Sequence, residues 1–199
     1  MRIFGIILAG GEGRRMGSSD AGADKALLPL AGRPLLAHLH ERLAPQVEEL
    51  AVSANGDAAR FAAFNLPVLP DTGSFGPLSG VLAGLQWAQS QGADAVVSAP
   101  VDAPFVPQDL TPRLLLAAGG VGPALARSGG RLHPTCGLWP VTLIPALAAF
   151  LASGVKPRVT DFAHSQGAAV ADFPDDGAFT NLNTREDLAA AEARITGAA

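Results

Sequence analysis

Two rhythms of apolar and polar positions alternate along the first hundred residues. "RIFGIILA" (2–9) is an almost unbroken apolar run that stops at Gly10, the pattern of a strand buried on both faces. "RPLLAHLHERLA" (33–44) changes period: Leu35, Leu36, Leu39 and Leu43 recur at helical spacing, with Pro34 near the first turn. "ELAVSAN" (49–55) and residues 67–69 predict the next strands. "PLSGVLAGLQWAQSQG" (77–92) places Leu78, Val81, Leu82 and Leu85 in helical register and ends at Gly92, and "DAVVSAP" (94–100) predicts another buried strand. Alternating strands and helices imply right-handed βαβ units and a mostly parallel sheet.

The second half is less regular. Residues 123–140 predict two strands around a Ser-Gly-Gly turn, 142–154 and 158–167 predict helices, and "AAVADF" (168–173) predicts a strand. "NTREDLAAAEARI" (183–195) opens with Thr184 and has Asp187 three residues on, close to a capping box. No internal repeat or long linker divides the chain. The expectation is one three-layer α/β/α domain of Rossmann-like type over 1–199. In such open sheets, ligands sit outside the carboxyl ends of the strands. The predicted strands run into the glycine loop, Asp71 and Asp102, so these distant residues are expected to meet at one edge.

Composition narrows the chemistry. The 199 residues carry a net charge of −4, with 48% hydrophobic and 16% charged residues, which supports a core and disfavours a general nucleic-acid binder. Within residues 1–33, however, Arg2, Arg14, Arg15, Lys25 and Arg33 outnumber Glu12, Asp20 and Asp24, so positive charge gathers at the amino-terminal loop. One cysteine, Cys136, allows neither a disulfide framework nor a cysteine-rich zinc site, and is read as a small buried residue. Apolar runs are too short for a membrane span and the start lacks a leader pattern, so a cytoplasmic protein without membrane contact is expected. His38 and His40 point to different sides of their helix, and His133 is read as structural or substrate-orienting.

"ILAGGEGRRMG" (7–17) joins bare backbone to arginines, a combination suited to phosphate oxygens. It is not a P-loop, because no Gly-Lys pair exists in the chain, and its Gly11-x-Gly13-x-x-x-Gly17 spacing is one residue too long for a dinucleotide fingerprint. A loop that clamps a phosphate chain remains. Asp102, flanked by Pro100 and Pro104, offers carboxylate oxygens to the Mg²⁺ that accompanies a nucleoside triphosphate. Blander roles exist for each element. The glycines suit a plain turn, Asp71 and Asp102 suit loop caps, and Asn183 suits a helix start.

The set "LAGGEGRRMG…DKALLPLAGRPLLAHL", "VSAN", "PVLPD", "GPLSGVLAGL", "PVDAPFVPQDL", "HPTCGL" and "FTNLNTREDL" resembles the nucleotidyltransferases, and most closely the molybdenum cofactor guanylyltransferase family, in order over nearly the whole chain. That resemblance implies transfer of GMP from GTP to the phosphate of molybdenum-molybdopterin, with pyrophosphate as the second product. It implies GTP contacts at Leu8, Ala9, Gly10, Gly11, Lys25, Asp71 and Asp102, with either Ser53 or Asn55 beside the nucleoside. It implies catalytic roles for Arg15, Lys25 and Asp102, Mg²⁺ on Asp102, and molybdopterin contacts at Gly76, Gly80, Asn181 and Asn183. The part up to about residue 110 is expected to bind the nucleotide and the rest the acceptor. Transient contacts with cofactor-biosynthesis proteins and apo-molybdoenzymes follow from the same resemblance. Two departures stand out: "SSDAGA" (18–23) lengthens the loop before Lys25, and Val101 replaces the cysteine often found before the aspartate. A cytidylyltransferase or sugar-phosphate nucleotidyltransferase of the same fold, or a nucleotide-sensing module without catalysis, are the alternatives.

Overall fold

The computed structural model describes residues 1–10, 24–71, 76–154, 156–174 and 177–197. Among them the strands are β1 (Ile3–Leu8), β2 (Pro29–Leu30), β3 (Arg33–Pro34), β4 (Leu50–Ser53), β5 (Val68–Leu69), β6 (Ala95–Pro100), β7 (Ala124–Ser128), β8 (Arg131–Pro140) and β9 (Ala169–Phe173). The helices are α1 (Leu35–Leu43), α2 (Pro77–Ser90), α3 (Leu110–Ala117), α4 (Ile144–Ala152), α5 (Val159–Ser165) and α6 (Arg185–Thr196). A seven-stranded sheet has the order β5-β4-β1-β6-β8-β7-β9, and β2 and β3 form a separate hairpin. β5, β4, β1 and β6 are mutually parallel, β8 runs antiparallel to its neighbours β6 and β7, and β9 pairs parallel to β7. The mostly parallel architecture expected from the alternation is present, with β8 as the reversed strand.

β1 shows why the sheet is covered on both sides. Ile3 and Ile7 enter a core shared with Leu35, Leu36, Leu39 and Leu43 of α1, while Phe4, Ile6 and Leu8 enter another shared with Leu78, Val81 and Leu85 of α2. Alternate side chains leave opposite faces of a strand, so a continuous apolar run requires a helical layer on each face. α1 and Leu110 and Leu114 of α3 cover one face. α2, Leu147 of α4 and Phe162 of α5 cover the other.

Three elements differ from the sequence pattern. Arg33 and Pro34 belong to the β2–β3 hairpin, so α1 begins at Leu35. A 3-10 segment, Ala58–Phe64, connects β4 to β5 where a full helix would be usual. α3 is absent from the sequence pattern because Pro104, Pro107 and Pro112 interrupt that region. Pro112 is the third residue of α3, where its missing N–H falls among the donors a first turn leaves unpaired anyway.

Candidate active site at the carboxyl edge of the sheet

Two clusters occupy the edge where the parallel strands end. The first gathers Gly10 after β1, Asn55 after β4 and Asp71 after β5. The Asn55 side-chain N–H₂ donates to Asp71 Oδ1, and the Asp71 backbone N–H donates to Asn55 Oδ1 at 3.1 Å. A Cβ on Gly10 would lie 3.0 Å from Asp71 Oδ2, so the bare backbone there lets the carboxylate lie over the loop entry. The Ala9 N–H donates to the Ser53 carbonyl at 2.9 Å, and the Leu8 carbonyl accepts from the Val101 N–H at 3.1 Å. These bonds use up the sheet-facing groups. The Ala9 carbonyl and Gly10 N–H have no hydrogen-bond partner among the described residues.

The second cluster is ionic. Lys25 Nζ donates to Asp102 Oδ2 at 3.0 Å and to Asn183 Oδ1 at 2.7 Å. Lys25 sits in a short 3-10 turn, Lys25–Leu27, whose N-cap is Asp24: its Oδ1 accepts from the Ala26 N–H at 3.0 Å. Asp102 follows β6, and its carbonyl accepts from the Leu182 N–H at 2.8 Å, drawing residues 181–183 onto the edge. Phe179, stacked on His133 with ring centroids 4.5 Å apart, anchors the same segment from below. At the start of α6 a complete capping box forms between Thr184 and Asp187. The Asn183 and Thr184 N–H groups, in that order, hold the Asp187 carboxyl below the usual aspartate range, with Lys25 adding to the effect.

Asp102 Oδ1 is buried and has no hydrogen-bond partner among the described residues. An orphaned buried carboxylate oxygen is costly unless something binds it, and a hard oxygen donor suits a hard divalent cation. The residues present therefore fit a divalent metal, with Asp102 the residue that would hold it. Cys136 is fully buried, and burial together with the nearby Asp102 charge pushes its thiol well above the usual range. It is an inert core residue, as its isolation in the sequence implies.

Gly11 and Arg15 lie outside the described residues. Ser53 is buried at 1% exposure, and an added Cβ on Gly80 would come within 2.6 Å of Ser53 Oγ and 2.8 Å of Leu8 Cδ2. Both residues named for the ligand sites are thus buried at the seam between α2 and the sheet. Ser53 is covered by α2, and Gly80 is bare because α2 packs closely on β4 and β1. Of the Ser53 and Asn55 alternatives, Asn55 is the exposed one. Gly76 caps α2 with φ of 68°, a conformation that favours glycine, and is exposed. Asn181 is exposed beside the buried Leu182.

Sequence reasoning missed Arg60. This residue of the 3-10 segment donates through Nε to Asp24 Oδ2 at 2.5 Å and through Nη2 to the Asn55 carbonyl at 2.6 Å, joining the two clusters. A lone arginine in an alanine-rich stretch carries no local signal of such a role.

Comparisons with known proteins identify the family. Residues 5–167 match the family described as "MobA-like NTP transferase domain". The molybdenum cofactor guanylyltransferase of Cereibacter sphaeroides is 64% identical over 195 residues, covering 98% of each chain. The protein of the same name from Rhodobacter capsulatus is 50% identical over 201 residues, covering 98% of this chain and 97% of its own. Among solved structures, molybdopterin-guanine dinucleotide biosynthesis protein A from Archaeoglobus fulgidus superposes with a TM-score of 0.73 at 20% identity, covering 98% of this chain and 99% of that one. A 4-diphosphocytidyl-2C-methyl-D-erythritol synthase from Anaerococcus prevotii gives a TM-score of 0.77 at 13% identity, covering 98% and 96%. At such identities the two structures speak for the shared fold alone.

Proposed function

The chain belongs to the MobA-like NTP transferase family, and we propose that it transfers GMP from GTP to the phosphate of molybdenum-molybdopterin, giving molybdopterin guanine dinucleotide and pyrophosphate. The observation that carries this reading within the site is the convergence of Lys25, Asp102 and Asn183 at hydrogen-bond distance. They come from the amino-terminal loop, the end of β6 and the approach to α6, and together offer a cation, a metal-binding carboxylate and a neutral amide to a chain of phosphates.

The acceptor phosphate is already an anion, so no general base is needed. One of its oxygens forms a bond to the α-phosphorus of GTP while the bond from that phosphorus to the β-phosphate bridge breaks, and the electron pair leaves with pyrophosphate. The protein's task is to align the two groups and offset their charge. Lys25 and Arg15 take the β- and γ-phosphates. Asp71 and Asn55, with the Ala9 carbonyl and Gly10 N–H, take the guanine side. Asn181, Asn183 and Gly76 face the acceptor. Mg²⁺, held by Asp102, would supply charge neutralisation on the phosphate oxygens when bound.

Guanine presents N1–H and N2–H₂ side by side, and a carboxylate accepts from both. Asp71 Oδ1 is engaged by Asn55, so this recognition requires Asn55 to share that oxygen or turn aside. We assign nucleotide binding to the part before about residue 110 and acceptor binding to the rest, in the cytoplasm. No helix among the described residues is long and apolar enough to cross a membrane. Pyrophosphate release from GTP, ATP, CTP and UTP, with and without molybdopterin, tests the assignment. Release that requires molybdopterin and prefers GTP is expected. Release favouring CTP, or none at all, overturns it.

A further inference from the structure

Arg60 stands between the clusters without belonging to either. Its Nε reaches Asp24 Oδ2 at 2.5 Å, its Nη1 the Asp57 carbonyl at 2.5 Å and its Nη2 the Asn55 carbonyl at 2.6 Å. Its Cζ lies 4.4 Å from the ring centroid of Phe61, which is 1% exposed and so forms a fixed platform. The side chains of Arg60 and Asp24 are 24% and 20% exposed. The guanidinium thus has three acceptors in different directions and a ring beneath it, an arrangement that a planar fork of donors satisfies and a single ammonium does not.

Each acceptor leads to a different part of the site. Asp24 uses one oxygen to cap the Lys25 turn and the other to hold Arg60. The position of the turn, and with it Lys25 Nζ, therefore follows Arg60. Asn55 uses its carbonyl for Arg60 and its side chain for the reciprocal pair with Asp71. The base-side carboxylate is tied to the same guanidinium. We propose that Arg60 is a positioning residue that sets the nucleobase-reading pair Asn55–Asp71 and the phosphate-binding Lys25 in one register, so that a nucleotide gripped at its base arrives with its phosphates aligned. This rests on the reading of Asp71 and Lys25 as GTP contacts.

A purely structural arginine predicts a different outcome. It would lower the unfolding midpoint, and its effect on rate would multiply independently with that of any other residue. A positioning residue works through the groups it places, so its effect shrinks once they are gone. The test is a pair of double-mutant cycles. Arg60→Met keeps the aliphatic stem over Phe61 and removes the fork. Misplacement on the scale of an ångström costs up to about 10²-fold, so kcat/KM for GTP is expected to fall roughly 10- to 10²-fold, mostly in kcat. In a Lys25→Ala background the further loss should shrink to about twofold. In an Asp71→Ala background the GTP/ATP preference should no longer respond to Arg60→Met, although Arg60→Met alone narrows it. Arg60→Lys should recover little, and full recovery would show that charge alone matters and overturn the proposal. Equal losses in the wild-type and Lys25→Ala backgrounds would overturn it as well. If Arg60→Met does not fold, Asp24→Asn carries the same cycle against Lys25→Ala. The wild-type protein is the control for the functional reading. If it releases no pyrophosphate from GTP, that reading fails on its own, and the cycles are then read in GTP binding.

Discussion

The two clusters at the sheet edge are built in opposite ways. The Asn55–Asp71 pair joins residues 16 positions apart on the adjacent ends of β4 and β5. The Lys25 cluster joins residues 77 and 158 positions apart. The first is a local product of a parallel sheet: once β4 and β5 pair in register, Asn55 and Asp71 emerge side by side. The second exists only after the amino-terminal loop, the β6 turn and the start of α6 have all docked. The first cluster is held chiefly by amide hydrogen bonds. The second sets a cation against a partly buried carboxylate, an arrangement whose strength depends on excluding water. On the proposed function, base selection would rest on the local cluster and rate on the cluster that needs the whole chain.

Asp102→Asn should have the largest effect. Asparagine preserves shape but removes the charge that suits the orphaned Oδ1 to a cation. A bound metal contributes several kcal/mol to stabilising a phosphoryl-transfer transition state, so turnover is expected to fall by about 10³-fold or more. The Asp102 carbonyl still receives the Leu182 N–H, so the unfolding midpoint should hold. Near-normal turnover in saturating Mg²⁺ would remove Asp102 from this role.

Lys25→Ala comes next. Loss of one preorganised contact to developing charge costs roughly 10²–10³-fold in kcat. Lys25 Nζ bonds Asp102 and Asn183 and leaves the Asn55–Asp71 pair and its Arg60 tether in place, so the preference for GTP over ATP should survive in this variant while the rate collapses. A variant that lost rate and selectivity together would dissolve the distinction.

Asp71→Ala tests the other side. An acceptor covered by the bound base and left unpaired by the wrong one costs about 1–3 kcal/mol, so wild type should favour GTP over ATP at least tenfold. The variant should weaken GTP binding and narrow that ratio. An unchanged ratio, with both nucleotides weakened equally, would place Asp71 on the ribose or metal. Gly10→Ala should act in the same direction but more weakly, because its Cβ would press within 3.0 Å of Asp71 Oδ2 and the carboxylate can give way.

What was legible in the sequence follows the same division. The buried strands β1 and β6, the leucine spacing of α1 and the hairpin around Gly129 and Gly130 are local patterns, and each appears in the structure near its expected bounds. Because parallel strands carry their carboxyl ends to one edge, the meeting of Gly10 and Asp71 there was also readable. Residues whose roles depend on tertiary packing were not. Arg60 binds groups 3, 5 and 36 positions away, with no motif to connect them. Gly80 is bare where the underside of α2 meets Ser53 and Leu8, a contact between segments that are distant in sequence. Asn183 was singled out by resemblance, and its bond to Lys25 could not be foreseen from either sequence segment.

The smallest effect belongs to Thr184, which touches the ionic cluster only through the start of α6. Its hydroxyl accepts from the Asp187 N–H at 3.0 Å, while Asp187 Oδ2 accepts from both the Asn183 and Thr184 N–H groups at 2.8 Å. Thr184→Ala removes one half of the capping box and leaves the half that holds Asn183. Loss of such a cap costs about 1 kcal/mol, which for a chain of this size lowers the unfolding midpoint by roughly 2–4 °C. The rate should fall by less than about twofold, because Asn183 keeps its backbone bond. Asp187→Asn attacks the other half, and its signature is in pH. The folded-state carboxyl is held below its unfolded value near ~3.9, so its stabilising contribution is fully present above that value and is lost as pH falls through the depressed folded value. Wild type should therefore be the more stable protein at neutral pH, and the gap to Asp187→Asn should close as pH drops below about 4. Unfolding midpoints of both variants across pH 3–7 would check this. A gap that stays constant into acid would show that the carboxylate charge does not hold the Asn183 turn, and that Lys25 alone keeps Asn183 in place.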